Sequence, residues 1–208
     1  VIVLAITSIK TGSSFTNLQK FDTFLGPNAA YNPSSFESIA TATGTGSSGT
    51  ITFSSIPSTY KSLQLRILAK DSDAGGTTAA IRLQFNSDTG ANYSTHTLFG
   101  DGSTVYALGS ASTTNTNSYG LLPDSYAGTS NMMGASIIDI IDYASTSKNK
   151  TIRYFAGFDT NAVAGGSGGR VGMSSGAWYN TSAISSITLT NSRFNWTTNS
   201  VFSLYGVK

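Results

Sequence analysis

Two stretches decide the fold class: Ser62-Leu-Gln-Leu-Arg-Ile-Leu-Ala-Lys70 and Ala79-Ala-Ile-Arg-Leu-Gln-Phe85. In the first, Leu63, Leu65 and Ile67 point one way and Gln64 and Arg66 the other. In the second, Ile81, Leu83 and Phe85 oppose Arg82 and Gln84. A repeat of two is the pleat of a β-strand with one buried face. Gly75-Gly76 reads as the turn between them.

Working outward, the same grammar recurs. Phe36–Thr43 and Thr50–Phe53 flank the loop Gly44-Thr-Gly-Ser-Ser-Gly49. Ser136–Tyr143 carries Ile137, Ile138, Ile140 and Ile141, a run expected to be partly buried on both faces. The turn at Ser145–Asn149 leads from it to Thr151–Phe158, which predicts a hairpin. Arg170–Tyr179, Ala183–Thr190 and Val201–Val207 complete the strong strands, while 94–99, 105–108 and 119–122 are weaker ones. Gly165–Gly169 is expected to be a loop, because so many glycines do not repay their backbone entropy inside a strand. No helical period longer than about ten residues follows Pro33, so the crossovers of a parallel sheet are missing. These eight to ten strands predict an all-β fold: an antiparallel two-sheet β-sandwich, jelly-roll-like, occupying residues 36–208. Four prolines and no internal repeat argue against a solenoid or fibre shaft.

Residues 1–35 differ. A short strand at Val1–Ile9 is followed by loosely helical Phe15, Leu18, Phe21, Phe24 and Leu25, and then by the breakers Gly26-Pro27 and Asn32-Pro33. The segment reads as an extended N-terminal arm with large apolar residues. Those residues either cap the end of the body's core or dock on a neighbouring subunit. The docking candidates are Phe15, Leu18, Phe21, Phe24 and Tyr31. The chain opens on Val1, which leaves room for an initiator or a longer leader before it.

Composition bounds the chemistry. The 208 residues include 61 Ser and Thr together and 22 Gly, while only 11% are charged, against roughly 25% in an ordinary soluble domain. There is no Cys, so disulfides and thiolate metal sites are excluded. Net charge is +2 with Lys and Arg spread singly, which argues against a nucleic-acid partner. The longest apolar run, Val1–Ile6, is too short to span a membrane.

Several phrases resemble a family of tailed-bacteriophage virion structural proteins: Phe36-Glu-Ser-Ile-Ala-Thr-Ala-Thr43, Phe53-Ser-Ser-Ile-Pro-Ser-Thr-Tyr60, Asn86-Ser-Asp-Thr-Gly-Ala-Asn-Tyr93, Asp142-Tyr-Ala-Ser-Thr-Ser-Lys148 and the ending Val201-Phe-Ser-Leu-Tyr-Gly-Val-Lys208. The resemblance covers about residues 36–208. It implies a non-enzymatic protein on the virion surface, either capsid decoration or a head or tail fibre. The partners it implies are other virion proteins of capsid or tail, or host glycans. A sandwich of this kind is expected to form a closed homo-oligomer such as a trimer.

Reactive constellations are sparse. His96 is the one imidazole and sits on an expected strand, without the glycine pattern of a nucleophile elbow, so it reads as structural or exposed. A glycosidase needs facing carboxylates. Asp139 and Asp142, three apart on one strand, point to opposite faces, and Asp139 is expected to pair with Arg153 across the hairpin. Glu37 is isolated near the arm, and Asp71 and Asp73 read as turn residues. Asn86-x-Asp88-x-Gly90 resembles the start of a calcium loop but lacks its closing Glu, so an Asx-type turn is the expected reading. No catalytic residue, cofactor or metal is assigned. The Asn-x-Ser/Thr triplets at Asn92, Asn149, Asn180 and Asn195 follow from composition alone. Trp178, Tyr179 and Trp196, with Tyr106, Tyr119 and Tyr126, are candidate surface aromatics for gripping a sugar or partner. Against that, Trp178 continues a strand pattern that suits core, while Trp196 in Arg193-Phe-Asn-Trp-Thr197 suits an exposed loop or interface.

Overall fold

The computed structural model describes residues 35–72, 79–118, 131–160 and 169–208. The arm residues Phe15, Leu18, Phe21, Phe24 and Tyr31 lie outside these, as do Asp73, Gly75-Gly76, Tyr119, Tyr126 and the weak strand at 119–122.

The described residues form strands β1 (Phe36–Thr43), β2 (Thr50–Phe53), β3 (Ser62–Ala69), β4 (Ile81–Phe85), β5 (Tyr93–Gly100), β6 (Val105–Thr113), β7 (Thr116–Asn117), β8 (Gly134–Ile141), β9 (Lys150–Asp159), β10 (Gly169–Trp178), β11 (Ile187–Asn191) and β12 (Val201–Val207). Twelve strands replace the eight to ten expected. The weak stretches at 94–99 and 105–108 are full strands, β5 and β6, and β7 is the one not anticipated, two residues in a polar stretch that carries no periodicity. β11 begins at Ile187 rather than Ala183; Ile184 instead packs in the core from a loop whose amide donates to the Tyr143 carbonyl. Gly169 opens β10 at a φ of 116°, a backbone that favours glycine.

All pairings are antiparallel. One sheet has eight strands in the order β1-β12-β3-β8-β9-β10-β5-β6, and the other four, β2-β11-β4-β7. The expected hairpin is the β8–β9 pair, and β12 closes late against both β1 and β3. Alternation explains why the sheets share one core. Leu63, Leu65, Ile138, Ile140, Ile152, Tyr154, Phe202 and Leu204 from the large sheet meet Ile51, Phe53, Ile81, Leu83, Phe85, Ile187 and Leu189 from the small one in a single buried cluster. Each such side chain contributes roughly 1.5–3 kcal/mol on burial.

The chain passes from β4 in the small sheet to β5 in the large one through Asn86 and Ser87, both at positive φ, closed by the Asp88 amide on the Phe85 carbonyl at 2.9 Å. Asn and Ser tolerate this turn conformation better than bulky residues do. Polar latches hold the loops. The Asp88 carboxylate accepts from the Trp178 indole N–H at 2.7 Å and from the Gly90 amide at 2.8 Å. Asp88 thereby anchors the rim of the core where Trp178 stacks beside Tyr93. The fully buried Lys150 directs its ammonium at the carbonyls of Lys148 (2.6 Å) and Ser145 (2.8 Å), with those of Thr181 and Asn180 further off.

Candidate functional site

With one face of the large sheet committed to the core, the other face decides what the molecule can touch. Pairing register sorts its side chains into rows that cross the strands. The first row runs Tyr205, Gln64, Asp139, Arg153, Ser175, His96 over β12, β3, β8, β9, β10 and β5. The second, two residues along each strand, runs Ser203, Arg66, Ile137, Phe155, Met173, Leu98 and reaches Ala107 on β6. The third runs Val201, Leu68, Ala135, Gly157, Val171, Gly100, Val105.

The first row is polar and internally bonded. The Arg153 guanidinium sits 3.3 Å from an Asp139 oxygen. Gln64 donates its amide to the other oxygen at 2.9 Å and accepts from the Arg66 Nε–H at 2.9 Å. Arg66 lies over the Phe36 and Tyr205 rings, 4.6 and 4.8 Å from their centroids, which turns its charge away from the middle of the sheet.

Beyond Ser203 and Arg66, the other two rows are apolar and open. Leu68, Leu98, Val105, Ile137, Phe155, Val171 and Met173 are each between 43% and 73% exposed. Together they present roughly 700 Å² of accessible apolar surface, at or beyond the largest patch of a typical monomer, about 300–600 Å². The face carries two shallow concavities. One, of about 860 Å³, lies among His96, Leu98, Ile137, Arg153, Phe155 and Met173. The other, of about 710 Å³, is floored by Ala135 and Gly157 between Leu68 and Val171.

β10 shows how the sequence comes to put large residues outside. Its inward positions are Gly172, Ser174 and Gly176, and its outward ones Val171 and Met173. A Cβ on Gly172 would collide with Phe99 and lie 2.6 Å from the Leu98 carbonyl; one on Gly176 would lie 3.0 Å from the Thr116 methyl. The inner side therefore has room only for small residues. Likewise the Ser136–Tyr143 run is buried on one face only: Ile138 and Ile140 are in the core, while Ile137 is exposed and Ile141 half-buried. Nothing in the spacing distinguishes an open apolar face from a covered one, so Ile137, Phe155 and Met173 were not legible as a site.

Among the sequence candidates, Trp178 and Trp196 are both buried and offer no face to a sugar or partner. This corrects the surface-aromatic expectation. Trp178 packs on Phe85 and Tyr93 at the rim of the core. Trp196 packs edge-on against Phe202 at 4.8 Å, and its backbone bridges to Asp71, so a polar-looking loop is drawn inward. Tyr179 is exposed, its hydroxyl 3.2 Å from that of Ser94. Tyr106 stacks on Phe99 at 4.7 Å.

The carboxylates are engaged internally. Asp139 pairs with Arg153, as expected. Asp142 lies beyond the end of β8 in a turn, at a φ of 57° and 3.3 Å from the Lys148 ammonium. Glu37 pairs with Lys208 at 2.5 Å. The Asn86 side-chain oxygen accepts from the amides of Ser185 (2.9 Å) and Ser186 (3.1 Å). The Trp178 indole N–H, foremost, holds Asp88 below the usual carboxylate range. The Gly90 amide on Asp88, two residues on, is the bond of the expected Asx-type turn, whereas the Asn86 bonds tie this turn to a segment about a hundred residues away. Among the described residues no group of three or more His, Asp and Glu is arranged to hold a metal. His96 is exposed on β5, its ring over Gly109.

Comparison of the chain with protein-family models, with curated proteins and with solved structures gave no match.

Proposed function

We propose that this chain is a non-enzymatic structural protein carried on the exterior of a tailed-bacteriophage particle, as capsid decoration or a head fibre. The observation that carries a structural role is the open apolar face of the large sheet. Surface of that extent and composition is built to be covered by another macromolecule. The phage setting rests on the sequence phrases between Phe36 and Lys208 that resemble virion proteins. In this reading the two sheets close as a jelly-roll-like sandwich, and the 1–35 arm with Phe15, Leu18, Phe21, Phe24 and Tyr31 supplies the anchor to the shell.

A second reading is a tail-fibre head that contacts host glycans. What favours it is the juxtaposition of Phe155 with the planar polar groups of Arg153 and His96 around one concavity. An aromatic ring beside fixed donors and acceptors suits a sugar. Immunogold labelling of intact particles with an antibody against residues 36–208 separates the two. Gold over heads is the expected result, and gold at the tail tip transfers the proposal to adsorption. Particles without label, and without the protein on a gel, refute a virion role.

A further inference from the structure

The open face also carries information about what covers it. The β8–β9 pair lies at the centre of the large sheet, with β3, β12 and β1 on one side and β10, β5 and β6 on the other. Consider a two-fold axis lying in the plane of the face, parallel to the strands and between β8 and β9. It places β8 of one copy over β9 of the other, and β3 over β10. Rows at one height then face rows at the same height.

The consequence is self-complementarity. Asp139 and Arg153 are register partners on β8 and β9, so each Asp139 comes to face the other copy's Arg153. Ile137 and Phe155 are also register partners and face each other in the same way. Leu68 on β3 faces Val171 on β10 one row further on. On the two central strands polar thus meets polar of opposite charge and apolar meets apolar; one strand out, Arg66 comes over Met173, with its guanidinium drawn aside onto the Phe36 and Tyr205 rings. Sheets stacked face to face lie about 10 Å apart and rotate by about 30° because each is twisted. Registry therefore holds best near the axis, where these four central residues stand.

The area agrees. A stable interface buries about 800 Å² on each partner, and the seven exposed apolar side chains alone approach that figure. We infer that the outer face of the large sheet is an isologous dimer interface, occupied by a second copy of this chain. The symmetry is two-fold rather than the trimer expected from the sequence. The inference rests on reading that face as an assembly surface, as above. The apolar rows supply the affinity and the Asp139–Arg153 pairs set the register.

Sedimentation of the full chain tests this. At about 10 µM the wild type is expected to be a dimer. Phe155→Glu, at an exposed position, should weaken it about a hundred-fold by placing two carboxylates against aliphatic surface. Asp139→Arg should weaken it about ten-fold by facing like charges, and adding Arg153→Asp should restore it to within about three-fold. The chain has no Cys, so Met173→Cys introduces a unique thiol. That thiol should react slowly with a maleimide in the dimer and rapidly on dilution.

A wild type that stays monomeric at about 100 µM overturns the inference. So does a dimer or trimer indifferent to Phe155→Glu, or a charge reversal that the second substitution fails to repair. A thiol protected at every concentration also overturns it, and hands the face to the chain's own N-terminal segment. Monomeric protein on labelled particles would refute the dimer and leave the virion role standing. Dimeric protein absent from particles would do the reverse.

Discussion

Lys150 is the clearest internal cross-link in the described structure, and replacing it with Met should cost about 2–4 kcal/mol. The ammonium donates at 2.6 and 2.8 Å to the Lys148 and Ser145 carbonyls, and its contacts at 3.2 and 3.4 Å to Thr181 and Asn180 are near the limit of a hydrogen bond. Counting only the two short bonds, at about 1.5–3 kcal/mol each for a charged donor, the gross loss is about 3–6 kcal/mol. Methionine fills most of the volume of the stem, so little cavity is added. Removing the buried charge returns part of the loss, since desolvating an ammonium is itself costly. In a body of this size the net change corresponds to a fall of roughly 5–15 °C in Tm. Urea unfolding followed by tryptophan fluorescence measures it. Lys148→Met is the internal control: its ion pair with Asp142 is exposed on both sides and should be worth at most about 1 kcal/mol. Burial pushes the Lys150 pKa down, so between the folded and unfolded values the unfolded chain binds the extra proton. The contribution of this group to stability therefore rises with pH through that alkaline window, and the rise should vanish in Lys150→Met. A Lys150→Met protein within about 0.5 kcal/mol of wild type would refute the clamp.

Two further predictions follow from local geometry. Gly172→Ala should destabilise by about 1–3 kcal/mol, because the new methyl meets Phe99 and the Leu98 carbonyl and pushes β5 from β10; an unchanged urea midpoint would show that the two strands can separate freely. Asp101 accepts from the Ser103 and Thr104 amides, which hold its pKa down at about 2, so its contribution is fully present above the ordinary value of 3.8 and is lost as pH falls toward 2; Asp101→Asn should flatten the acid limb of the stability curve, and an unaltered limb would assign that limb to other carboxylates.

Much of the fold was legible because its signal is local. The alternation in Ser62–Lys70 and Ala79–Phe85, and the turn at Ser145–Asn149, are properties of a few consecutive residues, and β3, β4 and the β8–β9 hairpin follow from them. Trp196 was misread for the opposite reason. Its neighbours Asn195, Thr197 and Thr198 are polar, and its burial depends on Phe202 and on the backbone of Asp71, a contact across 125 positions. Trp178 carried both readings in sequence, and the fold chooses core because Asp88, ninety residues earlier, supplies its indole N–H with a partner. The outer face was hidden by another ambiguity. Four isoleucines within Ser136–Tyr143 describe a strand buried on both sides and a strand with one open side equally well.

That ambiguity is resolved by asking what each residue contributes to the folded chain alone. Ile138, Ile140, Ile152 and Tyr154 are buried in the shared core, and the fold requires them. Ile137, Phe155, Met173 and Val171 alternate with them on the same strands or the neighbouring one, yet stay open. Their burial contributes little to the isolated fold, since hydrophobic stabilisation scales with area removed from water. Polar residues at those positions would leave the core intact, and a chain so rich in Ser and Thr has ready substitutes. Their presence in two adjacent rows, beside a row carrying one acid and one base on the central strands, is what the proposed dimer would account for.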